Sequence, residues 1–521
     1  MKRRLINILA IIGAVVMATG CAKFTELSPK GENMLQRVSD LDMLLNYEWP
    51  DLGVDRHSII TSGNVGYMGT AMEALIAAPA TNPDAVMSIT ADFDNLIALV
   101  EEKLVTDSYY TQMYELIGQI ANPVIKNADT AEGDRDLAKR LKAEALTLRA
   151  YLHYLLVKNY AGAYDPATAD TQLAMAYTFE DNDPSQTPVQ LTMKQFYDNI
   201  LADIKAAKEL DALQAPSNNR MRLSNAALYA VEALVNMEVR DYAAAKTAAQ
   251  NSLAIEPTVD DYNTMLVYRP DMWTDETDAM TVYPGWELRR DKTTGMVTKE
   301  DIFKTDYLYF FWYTAFPFLL DEVDGEKNIL LNHISYSSAN DYSGTMYGRL
   351  YMGDYFFPNG TGLSTVDMYF VLAECAIRSG DWATAADNIN YILCRRQPNK
   401  EIYEATIAQD PTAMGVIAPE NYFTPVSFNN AADGIKELRK VVWAEHWFRS
   451  GFFYWQKRWN AEADWAYTIN KTFTYATTDA EGRYVAGKTE TFTLTPESKV
   501  WIRPFPQKTM NLTDFVQNYS Y

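Results

Sequence analysis

Two stretches of this chain repeat one pattern, and that repeat constrains the fold more than any other feature. In NAALYAVEALVNMEVRDYAAAKTAAQNSLAIEP (225–257), small and apolar residues recur at helical spacing up to a turn at Arg240-Asp241. A second helix then carries Ala245, Ala248 and Leu253 inward and stops at Pro257. In VDMYFVLAECAIRSGDWATAADNINYILCRR (366–396) the same elements return: a helix, Gly380-Asp381-Trp382, then Ala385, Ala386 and Ile389. Alanine at a crossing lets two helices approach closely, so each stretch reads as a tight helical hairpin. The expectation is a mainly α fold.

Each hairpin resembles a tetratricopeptide unit, whose helices join at a Gly-Asp-aromatic turn and keep small residues where they cross. The cysteines Cys375 and Cys394 fall on these helices and read as core residues. RDLAKRLKAEALTLRAYLHYLLVKNYAG (135–162) reads as one long amphipathic helix and LTMKQFYDNILADIKAAKEL (191–210) as another, separated by a link rich in Pro and Asp. A helical scaffold interrupted by long inserts presents its chemistry on those inserts.

The inserts differ in composition. Residues 258–365 are rich in Tyr, Trp, Gly and Asp, include the dense run YLYFFWYTAFPFLL (307–320), and keep no helical period, so loops with short strands are expected. Pro317 breaks that run, which excludes it as a membrane span. Residues 471–495 alternate in period two around Asp479-Ala480-Glu481-Gly482 and read as a β-hairpin. Gly482 to Gly487-Lys488-Thr489 satisfies the phosphate-loop formula, but the chemistry needs a helix starting at the lysine so that free N–H groups point at phosphate. Here an alternating strand continues, and a nucleotide site is not expected.

At the start, Lys2, Arg3 and Arg4 precede a run that is apolar from Leu5 to Met17 apart from Asn7. A spanning helix needs about 20 apolar residues, so the run is too short and reads as a secretory signal. Ala18-Thr19-Gly20-Cys21 resembles a bacterial lipobox, which makes Cys21 the expected site of acylation and the new N-terminus. Two acyl chains on that residue would suffice for stable anchoring. Only Cys375 and Cys394 remain in the mature chain, too few to staple it, so stability must come from burial. Residues 1–20 contain no acid, so removing their three basic residues takes the net charge from −22 to −25. Such a surface repels nucleic acid and anionic lipid heads.

No catalytic or metal motif stands out. His57, His153, His333 and His446 are far apart and form no ligand pair, and no G-x-S-x-G elbow occurs. Asp321, Glu322 and Asp324 form an acidic cluster beside aromatics, for which a solvated loop is the simpler explanation. A glycosidase pair stays open on sequence alone, because such carboxylates are identified by their separation in space. No cofactor and no metal is expected. Aromatic residues make up 13% of the chain, with 34 Tyr and 11 Trp, more than a core needs and of the kind a sugar or peptide binder uses.

Taken in order, these pieces resemble the SusD/RagB surface lipoproteins of Bacteroidetes over essentially the whole mature length. CAKFTELSPKG followed by SDLDMLLNYEWPD is similar to the family's opening. YYTQMYELIGQIANPVI (109–125) is similar to its helix ending in Ala-Asn, here Ala121-Asn122, and Arg149-Ala150-Tyr151 to its Arg-Ala-Tyr helix. KELRKVVWAEHWFRSGFFYWQKRW resembles its Glu-x-x-x-Arg and closing Arg-Trp pattern, at Glu445, Arg449, Arg458 and Trp459. The terminus carries the matching Pro504-x-Pro506 and Gln517-Asn518, ending on Tyr521. Gly451 departs from the pattern, and 397–430 and 471–495 read as inserts peculiar to a subgroup.

The resemblance implies a signal over 1–20 and a single SusD-like domain over 21–521, divided into an N-terminal region (21–235) and a C-terminal region (236–521). It implies a non-enzymatic, surface-exposed, lipid-anchored protein of the outer membrane. Such a protein sits on a SusC-type TonB-dependent transporter and captures glycans, or peptides in some members. The tetratricopeptide side would contact the transporter and the aromatic inserts the ligand. The ligand candidates here are Tyr47, Trp49, Tyr67, Trp273, Trp286, Tyr309 and Trp312, with Asp51 and Arg289 as polar partners. A ring covers a pyranose face while a neighbouring charge bridges two hydroxyls. Trp443, Trp447, Trp455 and Trp459 recur at helical spacing and read as core.

Overall fold

The computed structural model describes residues 35–47, 49, 107–183, 185–215, 219–261, 263, 362–397, 399–401, 404, 422–446, 451–478, 480, 484–498 and 501–517, with short strands between 266 and 327. The described part is mainly helical, as the sequence predicts. It opens with α1 (Val38–Leu45) and α2 (Ser108–Leu116), which runs into a π-helical turn (Ile117–Ala121) and α3 (Asn122–Asn127). Then come α4 (Arg135–Tyr160), α5 (Met193–Leu210), α6 (Asn225–Glu238) and α7 (Tyr242–Ile255).

Helix α4 is the axis of the molecule. The sequence reads as amphipathic, yet every residue from Ala143 to Tyr160 is buried, because α1, α2, α3, α5 and α6 all pack against this helix. Burying polar side chains is tolerable only when each finds a partner. Arg149 forms a bidentate pair with Asp203 of α5 at 2.7 Å for both bonds, and it also reaches Asn122 Oδ1 at 3.0 Å. The π-helical turn ends at Asn122, whose Nδ2 donates to the Thr178 carbonyl. His153 lies flat on Tyr177 at 3.7 Å between ring centroids. Its Nε2 accepts from Thr178 N–H while Nδ1 donates to the Arg149 carbonyl, which fixes a neutral tautomer.

The two repeated stretches fold as expected into α6–α7 and the pair α8 (Thr365–Ser379) and α9 (Trp382–Arg396). Their turns are built alike. Arg240 and Gly380 both take the left-handed conformation, at φ 63 and 75. Asp241 N–H reaches back to Asn236 O and Asp381 N–H to Ala376 O, each at 2.9 Å. Both aspartates then cap the next helix, accepting from Ala244 N–H and Thr384 N–H. The left-handed residue closes the orphan carbonyls of one helix and the aspartate the orphan amides of the next. Cys375 is buried beside Met237, whereas Cys394, read as core, is only half-buried, one residue past the buried Leu393 near the end of α9.

Helices α10 (Ala431–Glu445) and α11 (Gly451–Asn460) pack behind the second pair. Trp443, Trp455 and Trp459 are buried there as their spacing predicts; Trp447 lies outside the described residues. Gly451 has a steric reason: a Cβ at that position would run into the imidazole of His446. The strands form two-stranded ribbons: β1 (Leu266–Thr274) with β2 (Val282–Leu288), β3 (Asp301–Phe303) with β6 (Leu363–Ser364), β4 (Glu322–Val323) with β5 (Glu326–Lys327), and β7 (Ile469–Thr478) with β8 (Tyr484–Leu494). A short helix, α12 (Gln507–Leu512), lies near the end.

Candidate functional site

The phosphate-loop formula is spent on a strand. Lys488 and Thr489 lie within β8, with Thr489 opposite Thr474, so no helix start exists there to cradle phosphate. Among the described residues no group of three or more His, Cys, Asp or Glu side chains could hold a metal. No described helix is long and apolar enough to cross a membrane. His57 and His333 lie outside the described residues, as do Asp321 and Asp324; Glu322 begins β4.

A cavity of about 70 Å³ opens between α4, α6, α8 and α11, and Lys158, Glu238, Asp367, His446, Tyr454 and Arg458 line it. Its charges are matched in pairs. Lys158 Nζ meets Glu238 at 2.5 Å, His446 Nε2 meets Asp367 at 2.8 Å, and Arg458 grips Glu374 with two bonds of 2.6 Å. Burial pulls the Lys158 pKa down even with Glu238 beside it. Burial alone would raise the Glu374 carboxyl, but Arg458 outweighs it and holds the pKa below the usual carboxylate range. Its lining is dominated by side chains paired with one another, the arrangement of an internal joint between helices.

The sequence candidates divide as follows. Tyr47, just after α1, is 43% exposed, while Trp49 is 3% exposed and donates its Nε1–H to the Met221 carbonyl at 2.7 Å. The two rings meet at 5.3 Å between centroids with planes tilted by 60°. Burial therefore gives Trp49 a packing role and leaves Tyr47 as the ring open to solvent. Trp273 and Trp286 lie on the β1–β2 ribbon, opposite Tyr283 and Tyr268 respectively. In the backbone register the ribbon thus sets each tryptophan opposite a tyrosine. Asp51, Tyr67, Arg289, Tyr309 and Trp312 lie outside the described residues, as does Cys21.

Comparison with known proteins fits this arrangement. Residues 41–237 match the SusD-like family model described as "Starch-binding associating with outer membrane". Over that stretch the chain resembles the SusD-like family. Among solved structures it shares its fold with a SusD superfamily protein from Bacteroides thetaiotaomicron, at 16% identity and a TM-score of 0.54, covering 93% of this chain and 100% of the other. A SusD superfamily protein from Bacteroides fragilis matches at 14% identity and a TM-score of 0.54, over 92% and 99% of the two chains. A protein from Bacteroides vulgatus described as a putative sugar binding protein matches at 16% identity and a TM-score of 0.51, over 93% and 98%. A comparison with curated protein sequences gives no match.

In this chain the residues that carried the resemblance are scaffold. Asn122 and Arg149 join α3, α4 and α5. Arg458 and Trp459 Nε1 both bind Glu374. Glu445 pairs with Arg396 at 2.7 Å, both fully or almost fully buried. Gln517 exchanges two bonds with the backbone of Phe505, between the two prolines. Arg449 lies outside the described residues. Sequence reasoning missed the segment that follows α7: Asp260 and Asn263 tie the approach to β1 onto α9, and a run of Asp and Asn just past Pro257 was its only signal.

Proposed function

We propose that this protein is a glycan-binding lipoprotein of the outer membrane, tethered through Cys21, that captures oligosaccharide and hands it to a SusC-type TonB-dependent transporter without performing chemistry. The observation that carries this reading is the family match over 41–237, whose description names starch binding and the outer membrane. The kinship of fold with a structure described as a sugar binding protein supports it. The aromatic β1–β2 ribbon and the exposed ring of Tyr47 are features a weak, reversible sugar binder uses, since ring faces stack on apolar sugar faces. In this reading residues 21–521 form one domain after a signal over 1–20, the α6–α7 and α8–α9 pairs are tetratricopeptide-type scaffold, and Tyr47, Asp51, Tyr67, Trp273, Trp286, Arg289, Tyr309 and Trp312 are the residues to test for contact.

A glycan array followed by calorimetry on the leading hit tests the reading. Saturable binding to a neutral oligosaccharide is the expected result. Binding to a protein digest with no response on the array would replace it with the peptide-binding alternative. Release of reducing sugar, lost on changing one Asp or Glu, would overturn the binding-only view in favour of a glycosidase. Cys21→Ser should release the protein from the membrane fraction, and the mass of the mature N-terminus should show two or more acyl chains.

A further inference from the structure

The segment that follows α7 is stitched to the second helical pair at four residues: Glu256, Pro257, Asp260 and Asn263. Thr365 Oγ1 donates to Glu256 O at 3.3 Å. Tyr369 and Tyr391, stacked at 4.4 Å between centroids, both aim their hydroxyls at Pro257 O, at 3.2 and 3.4 Å. Arg396, fully buried and paired with Glu445, donates to Asp260 O at 2.6 Å. Asn263, 7% exposed, closes the series. Its Nδ2 donates to Cys394 O and Gln397 O, at 3.1 and 3.2 Å, while its Oδ1 accepts from Asn399 N–H at 2.8 Å.

Those contacts have a specific physical meaning. Cys394 and Gln397 supply carbonyls at the C-terminal end of α9, where the last helical oxygens lack partners within the helix. The Asn263 amide caps that end from outside the helix, three residues before β1 begins at Leu266. A two-stranded ribbon is marginal in water by itself, so its position depends on how its root is held. We propose that Asn263, backed by Arg396, is the positioning residue that anchors the root of the β1–β2 ribbon to the C-terminal end of α9 and so preorganises the ribbon for ligand. The inference rests on the glycan-binding reading for its consequence but not for its geometry. A binding surface that is already ordered does not spend affinity on ordering.

Two variants and two readouts decide it. Asn263→Ala removes all three side-chain bonds; Asn263→Asp keeps size and the acceptor but loses the donors and sets a carboxylate against helix carbonyls. Hydrogen exchange read over 266–288 should speed up by about tenfold or more in both variants, with exchange in α6, α7 and α8 as in the wild type. Affinity for the oligosaccharide that the wild type binds best should fall by about five- to tenfold. An Asp variant that behaves as wild type would reduce the residue to a space filler and overturn the proposal. So would unchanged exchange over 266–288, or faster exchange spread evenly over the chain. If the wild type binds no glycan, the functional reading fails while the exchange experiment still decides the mounting role. If glycan binds and exchange responds but affinity holds, the link to ligand is overturned.

Discussion

Arg149 of α4 and Asp203 of α5 exchange two hydrogen bonds of 2.7 Å in the interior, with 3% and 7% of their side chains exposed. Tyr177 adds its hydroxyl to the same carboxylate at 2.6 Å. Removing one member of a buried pair costs about 3 to 5 kcal/mol, here eased because Arg149 keeps a second carboxylate, Glu180, at 2.5 Å. Asp203→Ala should therefore lower the unfolding free energy by up to about that amount in denaturant titration. Adding Arg149→Met should cost less than it does in the wild type, because the bidentate pair is already gone and only the contacts to Glu180 and Asn122 remain to be lost. A double variant less stable than the sum of the two single changes would refute the pairing.

His153 sets a pH dependence of known sign. Burial, assisted by the nearby Arg149 charge, takes its pKa from 6.5 down to about 3. Between those values the unfolded chain binds a proton that the folded chain does not, so stability is full above pH 6.5 and is lost as the pH falls toward 3. The slope from this one residue is at most about 1.4 kcal/mol per pH unit. Carboxylates titrate in the same range, so the check is a difference. Unfolding free energies of the wild type and His153→Gln, measured from pH 7 to 4, should converge as the pH drops. Parallel curves would mean that the imidazole is not held neutral.

The helical half of this fold was legible because its signals are local. Small residues at the crossings, Asp after Arg240 or Gly380, and proline after α7 each act within one or two turns of helix. The family's residues were legible as a pattern and misleading as to role. Asn122, Arg149, Glu445, Arg458 and Trp459 invite a functional reading, yet all are buried ties between helices. The strap before β1 was hidden because its partners, Tyr369, Tyr391 and Arg396, lie more than a hundred residues away in sequence. Trp49 and Tyr47 show the limit most plainly: two residues apart and alike in chemistry, they differ in exposure, and only tertiary contacts such as the Trp49 bond to the Met221 carbonyl tell them apart.

That contrast makes a direct prediction about ligand and stability. Tyr47→Ala should leave the melting temperature nearly unchanged and, if the exposed ring contacts sugar, weaken oligosaccharide binding by about 1 to 3 kcal/mol, the range for truncating a contact ring. Trp49→Ala should do the reverse, destabilising the fold by about 3 to 5 kcal/mol through the cavity it leaves. Thermal melts beside calorimetry separate the two. Equal loss of stability in both variants would remove Tyr47 from the candidate surface.

The last prediction isolates the backbone at the second repeat turn. Gly380 sits at φ 75, and a Cβ added there would meet only Trp382, at an ordinary 3.7 Å. Space is thus available, and any penalty for Gly380→Ala comes from forcing a side chain into the left-handed region. That penalty is about 1 kcal/mol. The first turn supplies the control, because Arg240 already carries a side chain at φ 63. Arg240→Gly should relieve a similar strain, offset in part by losing its 3.3 Å bonds to Tyr164 O and Ala461 O. The two substitutions should therefore shift the denaturation midpoint in opposite directions, the gain at Arg240 being the smaller. Shifts of the same sign would show that side-chain contacts, not backbone conformation, set the stability of these turns.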